Sequence, residues 1–448
     1  MRKLVITLFL LFKLANQSFD PVVENAQTDF SFTGNEPFVQ FPESIQFTVR
    51  VTAPSEIERV ELEYYADHLS CGNVIAKGLP DFTPSNSVKV YWTWEMRQSG
   101  SLPPGATIHW RWRVFTTDGK EAVSDEKEIL WQDPAVHWKT LSDYRVNLHW
   151  YAGEQRFGTE LQDAAINALS TIEGQIGLKP NNPIDVYIYA DNMDFQDAIL
   201  YEPGWTGGIA VPEYDIVLIG ISPDNLAWGK TTIAHEIAHV LQGQYSFTCL
   251  GDTPTWLMEG IAMYAEGGLE TSSTKLFEKA IREDTLLSVK ALSGSFSENP
   301  DKADLSYSQS YSLVNFLIEQ YGKEKLLELM DLLKEGTTVD DALEKTYGFD
   351  IEGFETTWRA GIGAKPRQEG IGFPTPTAAA THIPTIVPLG SGQGRIESIP
   401  GDAQAEPVPG KTLPPFVLGI IVGVGFILLV LIIFLVIILA RRRKSSHE

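Results

Sequence analysis

Alternation dominates the first third of the chain. In "SIQFTVRV", "VKVYWTWEM" and "IHWRWRVFTTDGK" every second position is apolar or aromatic, and "LPPGA" and "TDG" supply turns between such runs. Period two broken by frequent turns predicts antiparallel strands with one buried face, so residues 20–135 are expected to form an all-β sandwich. Trp92, Trp94, Trp110 and Trp112 fall within these strands. They could line a sugar-binding face, but at alternate strand positions the expected role is core and cross-strand packing.

After "WQDPAVHW" the period changes. "TELQDAAINALSTIEGQIG" has helical spacing, "PIDVYIYA" and "YDIVLIGIS" are short apolar runs of strand length, and helical patterns dominate from Asn225 to about Gly361. Strands first and helices after predict an α+β domain over residues 136–363. From 364 to 415 Pro, Thr, Gly and Ala accumulate without periodicity, as expected of an extended stalk.

Both ends suggest membrane traffic. Residues 416–440 carry no charge over 25 positions, about 37 Å of helix against a hydrocarbon core of about 30 Å. Arg441, Arg442, Arg443 and Lys444 follow, and a basic cluster of this kind stays on the cytoplasmic side, with residues 441–448 as a short tail. Residues 1–18 have a basic start and a short apolar run, the pattern of a signal peptide, although Lys13 interrupts it and leaves an uncleaved anchor as the alternative. The expectation is a multidomain, single-pass type I cell-membrane protein with its folded domains outside the cytoplasm.

The formal charge is −23. Each end contributes about plus three, so the external part carries about −29, which disfavours nucleic acid and favours basic or neutral partners. The two cysteines, Cys71 and Cys249, lie outside any metal-binding spacing. They could form one disulfide, but two unpaired thiols is the favoured reading, since sequence does not supply the distance between them.

The chemistry concentrates in "TTIAHEIAHVLQG". His235 and His239, four apart on a helix, lie on one face and can aim ring nitrogens at a single ion about 2.0–2.1 Å away. Glu236 is one residue round, where its carboxylate can reach a water at the ion and act as general base. By chance this spacing is expected on the order of once in a hundred chains of this composition. A third ligand should be acidic and downstream, and "TPTWLMEGIAMYAEGG" offers Glu259. Glu266 and Asp252 are the alternatives, Glu266 otherwise being solvated or a partner of the ligands.

"HEIAH" with "WLMEGIAMYAEG" resembles the gluzincin zinc metallopeptidases, closest to the peptidase MA-like group and more distantly the M1 aminopeptidases. The likeness runs over about 136–362. It implies a zincin-like catalytic domain, one Zn2+ per chain held by His235, His239 and Glu259, and hydrolysis of a peptide or protein substrate by zinc-activated water with Glu236 as base. In "LSYSQSYSLVNFLIEQYG" it implies Tyr307 as the donor to the developing oxyanion, with Tyr311 as alternative; Gln309 and Ser310 depart from the family's lysine and glycine. It makes "WTGGIAVPEYDIVLIG" the edge strand that binds substrate, with Gly207 and Gly208 permitting close backbone approach. The G-x-M-E-N run that holds a free amino terminus is missing, with Glu213 a conceivable substitute. Met263 stands where thermolysin-type enzymes place an aspartate behind the ligands, so the partners of the two histidines are left unassigned. The β-sandwich resembles an immunoglobulin or fibronectin III-like module in pattern only. Two rival functions are a surface binding or adhesion protein with a degenerate peptidase-like domain, and a zinc hydrolase with a non-peptide substrate.

Overall fold

The computed structural model describes residues 30–367, apart from 100, 144, 201–206, 252 and 298. Strands β1 (Ser31–Gln40), β2 (Ser44–Ala66), β3 (Ala76–Gly78), β4 (Ser85–Glu95), β5 (Thr107–Thr116), β6 (Glu121–Val123) and β7 (Lys127–Leu130) build the N-terminal β-rich region. Where two separate sheets would be expected of a sandwich, these strands hydrogen-bond as one seven-stranded antiparallel sheet. The reason lies in β2. Its first half pairs with β1 and β4, its second half with β5 and β3, and the register slips between Thr52 and Ile57 around Pro54, which has no N–H to give.

A second slip, between Ile57 and Arg59, changes which parity faces inward. Ile45, Phe47, Val49 and Val51 are buried before it; Val60, Leu62, Tyr64 and Ala66 are buried after it. All eight belong to one core, and the Phe47 and Tyr64 rings lie 6.1 Å apart, so the sheet folds back over its own apolar face. Trp110 and Trp112 sit in that core, and both indole N–H groups donate to Asn35 Oδ1, at 2.8 and 3.0 Å. These two tryptophans are packing residues, as their spacing predicts.

The α+β part begins with a five-stranded sheet in the order β11-β12-β10-β9-β8. Its strands are β8 (Lys139–Ser142), β9 (Val146–Trp150), β10 (Ile184–Tyr189), β11 (Gly208–Val211) and β12 (Ile216–Gly220). The central three are parallel, and β8 and β11 run antiparallel at the two edges. Helix α1 (Gln155–Gln175) makes the crossover from β9 to β10, and α2 (Asn192–Ala198) follows β10. β10 reads as nearly continuous apolar sequence because both faces are covered. Ile184, Val186 and Ile188 enter the helical core; Tyr187 and Tyr189 pack with Phe195 of α2 and, from the β-rich region, Phe41.

The helices predicted after Asn225 are α3 (Leu226–Ser246), α4 (Thr255–Ala265), α5 (Thr271–Glu283), α6 (Pro300–Tyr321), α7 (Lys323–Lys334), α8 (Val339–Tyr347) and α9 (Ile351–Gly361). Asn299, Thr338 and Asp350 cap α6, α8 and α9 by accepting from the backbone amides of Lys302, Asp341 and Gly353. Among the described residues no helix is long and apolar enough to cross a membrane. The expected leader 1–18, the stalk beyond 367, the span 416–440 and the basic tail lie outside the described residues.

The reading of Cys71 and Cys249 as unpaired thiols is corrected. They form a disulfide, with Cα atoms 5.8 Å apart across a sequence separation of 178. Cys71 follows β2 and Cys249 follows α3, so the bond ties the β-rich region to the loop that joins two helices of the α+β part. Nearby, the Leu69 amide donates to the Glu213 carbonyl at 2.7 Å and His68 stacks on Tyr214 at 5.3 Å, which brings the two loops into range. Closing so long a loop removes much entropy from the unfolded chain. Replacing both cysteines with Ser is expected to cost about 2–5 kcal/mol, seen as a lower denaturation midpoint. An unshifted midpoint would show that the bond does not hold the two parts together.

Candidate metal centre

Helix α3 buries one side in the core and turns the candidate residues to the other. Ile233, Ile237, Val240 and Leu241 are buried in the core, while Trp228, Thr232, His235 and His239 share the opposite face. From the neighbouring helix α4, Trp256, Leu257 and Ile261 enter the same core and turn Glu259 back toward the histidines. Among the described residues, His235, His239 and Glu259 are the group whose ligand atoms could hold a metal ion.

The geometry is a small triangle. His235 Nε2 and His239 Nε2 are 3.1 Å apart, and Glu259 Oε2 is 3.4 Å from each. A triangle with those sides has its centre about 1.9 Å from each corner, close to the Zn–N distance of about 2.0–2.1 Å. Glu259 Oε2 is also buried without a hydrogen-bond partner, and two imidazole nitrogens this close can share at most one proton. A cation at the centre satisfies all three atoms, so this donor set of two nitrogens and one oxygen fits zinc.

Charge points the same way. Burial alone would lower His235, but Glu259, Glu266 and Glu236 outweigh it and push the ring up to about 10. Burial would likewise raise Glu259, yet the two imidazoles hold it down to about 2. The pocket has an excess of negative charge that a divalent ion would neutralise.

Behind the triangle, Glu266 Oε1 lies 2.6 Å from His235 Nδ1. This is the partner of His235 that the sequence left unassigned, and it decides the role of Glu266 between the readings left open: it accepts from the ring nitrogen that points away from the triangle. With Nδ1 donating to Glu266, Nε2 keeps its lone pair for the centre. One signal was available: a glutamate at the C-terminal end of α4 opposes the helix dipole and needs some other justification. Glu266→Gln is expected to weaken zinc binding by about 10–100-fold with the fold intact, measured by competition with a chelator. Wild-type affinity in that variant would remove Glu266 from the centre.

Glu236 points elsewhere. It faces edge strand β11, where the Ala210 amide donates to its carboxylate, and burial raises its pKa against the lowering pull of His235 and His239. A Cβ on Gly208 would come within 3.1 Å of Glu236 Oε1 and 3.0 Å of Thr232 Cγ2, and one on Gly207 within 2.7 Å of the Trp228 indole. A side chain at Gly207 would clash with the indole and one at Gly208 would press on its neighbours, and in both cases the groups approached are side chains of α3.

Tyr307, on α6, stands edge-on to His235 with ring centroids 6.3 Å apart, braced by Phe296 at 5.2 Å. Burial and the charges of Glu259, Glu236 and Glu266 all raise its pKa, so the phenol keeps its proton and can donate. Gly260 on α4 has no side chain to hold off the Ser310 carbonyl, and this lets α6 approach closely enough to present Tyr307. Tyr311 instead stacks on Tyr264 at 6.2 Å, with its hydroxyl toward Gly268. The departures at Gln309 and Ser310 are absorbed in packing: both are buried, and Gln309 binds the backbone amide and carbonyl of Leu287 at 2.8 and 3.1 Å. Glu213 is exposed on the turn after β11, where Pro212 packs on Gly243, a helical turn beyond His239.

Residues 164–364 match the model of the Peptidase MA superfamily, so the chain carries a peptidase MA-like domain. Among curated proteins none matches the chain. Of the solved structures, Legionella pneumophila aminopeptidase A in complex with aspartic acid aligns at 10% identity and TM-score 0.32, over 70% of this chain and 47% of its own. The Br derivative of BhCBM56 aligns at 8% identity and TM-score 0.16, over 23% of this chain and 91% of its own. Spo0M, the sporulation control protein from Bacillus subtilis, aligns at 10% and 0.16, over 31% and 55%. The chain thus spans about half the length of two of these three, and at such scores none of them bears on the chemistry.

Proposed function

We propose that this chain, whose residues 164–364 match the Peptidase MA superfamily, is a membrane-anchored, extracytoplasmic zinc metallopeptidase. The observation that carries the reading is the convergence of His235, His239 and Glu259, with Glu236 and Tyr307 both close to the group. When bound there, zinc would supply Lewis acidity, making a water more acidic and polarising the substrate carbonyl.

The remaining work falls to the protein. His235 and His239 would hold the ion as neutral rings, His235 fixed by Glu266, and Glu259 would supply charge and the third ligand atom. Glu236, oriented by the Ala210 amide, accepts a proton from the attacking water and returns it to the leaving amine. Tyr307 donates to the carbonyl oxygen as negative charge develops on it. Substrate would lie along β11. Gly207 accepts from the Gly220 amide at 3.1 Å, so by alternation Gly208 and Ala210 turn their backbone groups away from β12. The Ala210 amide serves Glu236, and Gly208 is left to pair with an extended peptide.

The test is direct. Purified protein should retain about one zinc per chain and cleave members of a quenched peptide library; zinc-loaded protein that cleaves none of them overturns the reading. The anchoring rests on the apolar run 416–440 and the basic residues after it, and predicts a domain that added protease can reach on intact cells. A domain shielded from that protease defeats the orientation.

A further inference from the structure

Trp228 is one of the large apolar side chains left exposed, at 41%. Single exposed apolar residues are ordinary; the position of this one is not. It lies on the same face of α3 as Thr232, His235 and His239. Its indole rim lies against Gly207, the residue before β11, and a Cβ there would come within 2.7 Å of it. One step along the strand, Gly208 meets Thr232 and Glu236. Strand and helix therefore run side by side, with Trp228 at the end before Glu236.

We infer that Trp228 forms a specificity subsite that takes a large apolar or aromatic side chain of the peptide, about three residues from the bond cleaved. The inference rests on the peptidase reading and deepens it. His235 follows Trp228 by seven helical positions, about 10.5 Å of rise. An extended peptide rises about 3.4 Å per residue, so three residues cover the same distance along β11. A substrate paired with Gly208 then passes the indole, and a bulky apolar side chain at that point would take the ring out of water and meet its face or edge.

The experiment uses the zinc-loaded protein and two quenched peptides that differ only at the third position from the cleaved bond, Phe against Gly, in versions that place this residue on either side of the bond. Wild type should prefer the Phe peptide on one side by about 10-fold in kcat/KM, mainly through KM. Trp228→Ala should retain zinc and abolish that preference, the kcat/KM for the Phe peptide falling to that for the Gly peptide, and Trp228→Phe should restore most of it. A preference undiminished in Trp228→Ala overturns the subsite with the peptidase reading intact. So does a wild type that cleaves the Phe and Gly peptides equally well on both sides of the bond. Cleavage of neither peptide by wild type, or of any library member, overturns both readings.

Discussion

Glu236→Gln is expected to bind zinc as the wild type does and to lose peptide cleavage by about 10²–10⁴-fold in kcat. The substitution keeps the shape of the side chain, and the amide oxygen can still accept from the Ala210 backbone. What it loses is the capacity to take a proton. His235, His239 and Glu259 are untouched, so metal content separates loss of the base from loss of the centre. Stability gives a second readout. Burial disfavours the charged form of Glu236, so a neutral isostere should not lower the denaturation midpoint. Activity within ten-fold of wild type at full zinc occupancy would falsify the assignment of the base.

Glu259→Gln should do the reverse, losing the metal and activity together. Its Oε2 atom is the third corner of the triangle, 3.4 Å from both histidine nitrogens, and no other described carboxylate joins that group. Two neutral imidazoles would remain, one ligand atom and one charge short of a structured three-ligand site. The expected loss of zinc affinity exceeds the about 10–100-fold anticipated for Glu266→Gln, because a ligand is removed and not its supporting partner. Chelator competition on the two variants ranks them. If Glu266→Gln loses more metal than Glu259→Gln, the ligand and its partner have been interchanged, and the triangle is the wrong centre.

Much of the candidate site is written locally. His235 and His239 are one helical turn apart, Glu236 is their neighbour, and the apolar residues between them bury the other side of the same helix. Tyr307 is less legible than the histidines, because Gln309 and Ser310 beside it depart from the family pattern; the approach of α6 across Gly260 separates it from Tyr311. Glu266 was ambiguous for a related reason. A glutamate two turns after Glu259 can face water or a ligand, and only the packing of α4 against α3 turns it to His235 Nδ1. Gly207 and Gly208 looked like room for substrate, and the structure shows that Trp228, Thr232 and Glu236 already crowd them from below.

By itself the sequence determined the periodic elements, the change from alternating to helical pattern near residue 136, and the two-histidine helix with an acid downstream. These depend on residues within a few turns of one another, where backbone geometry alone sets which side chains share a face. Tertiary structure alone decided the passage of β2 through both layers of its sheet, the bond between Cys71 and Cys249, and the support of His235 by Glu266. Each brings together groups whose separation in space is set by how whole elements pack, and spacing along a flexible chain carries little information about that distance.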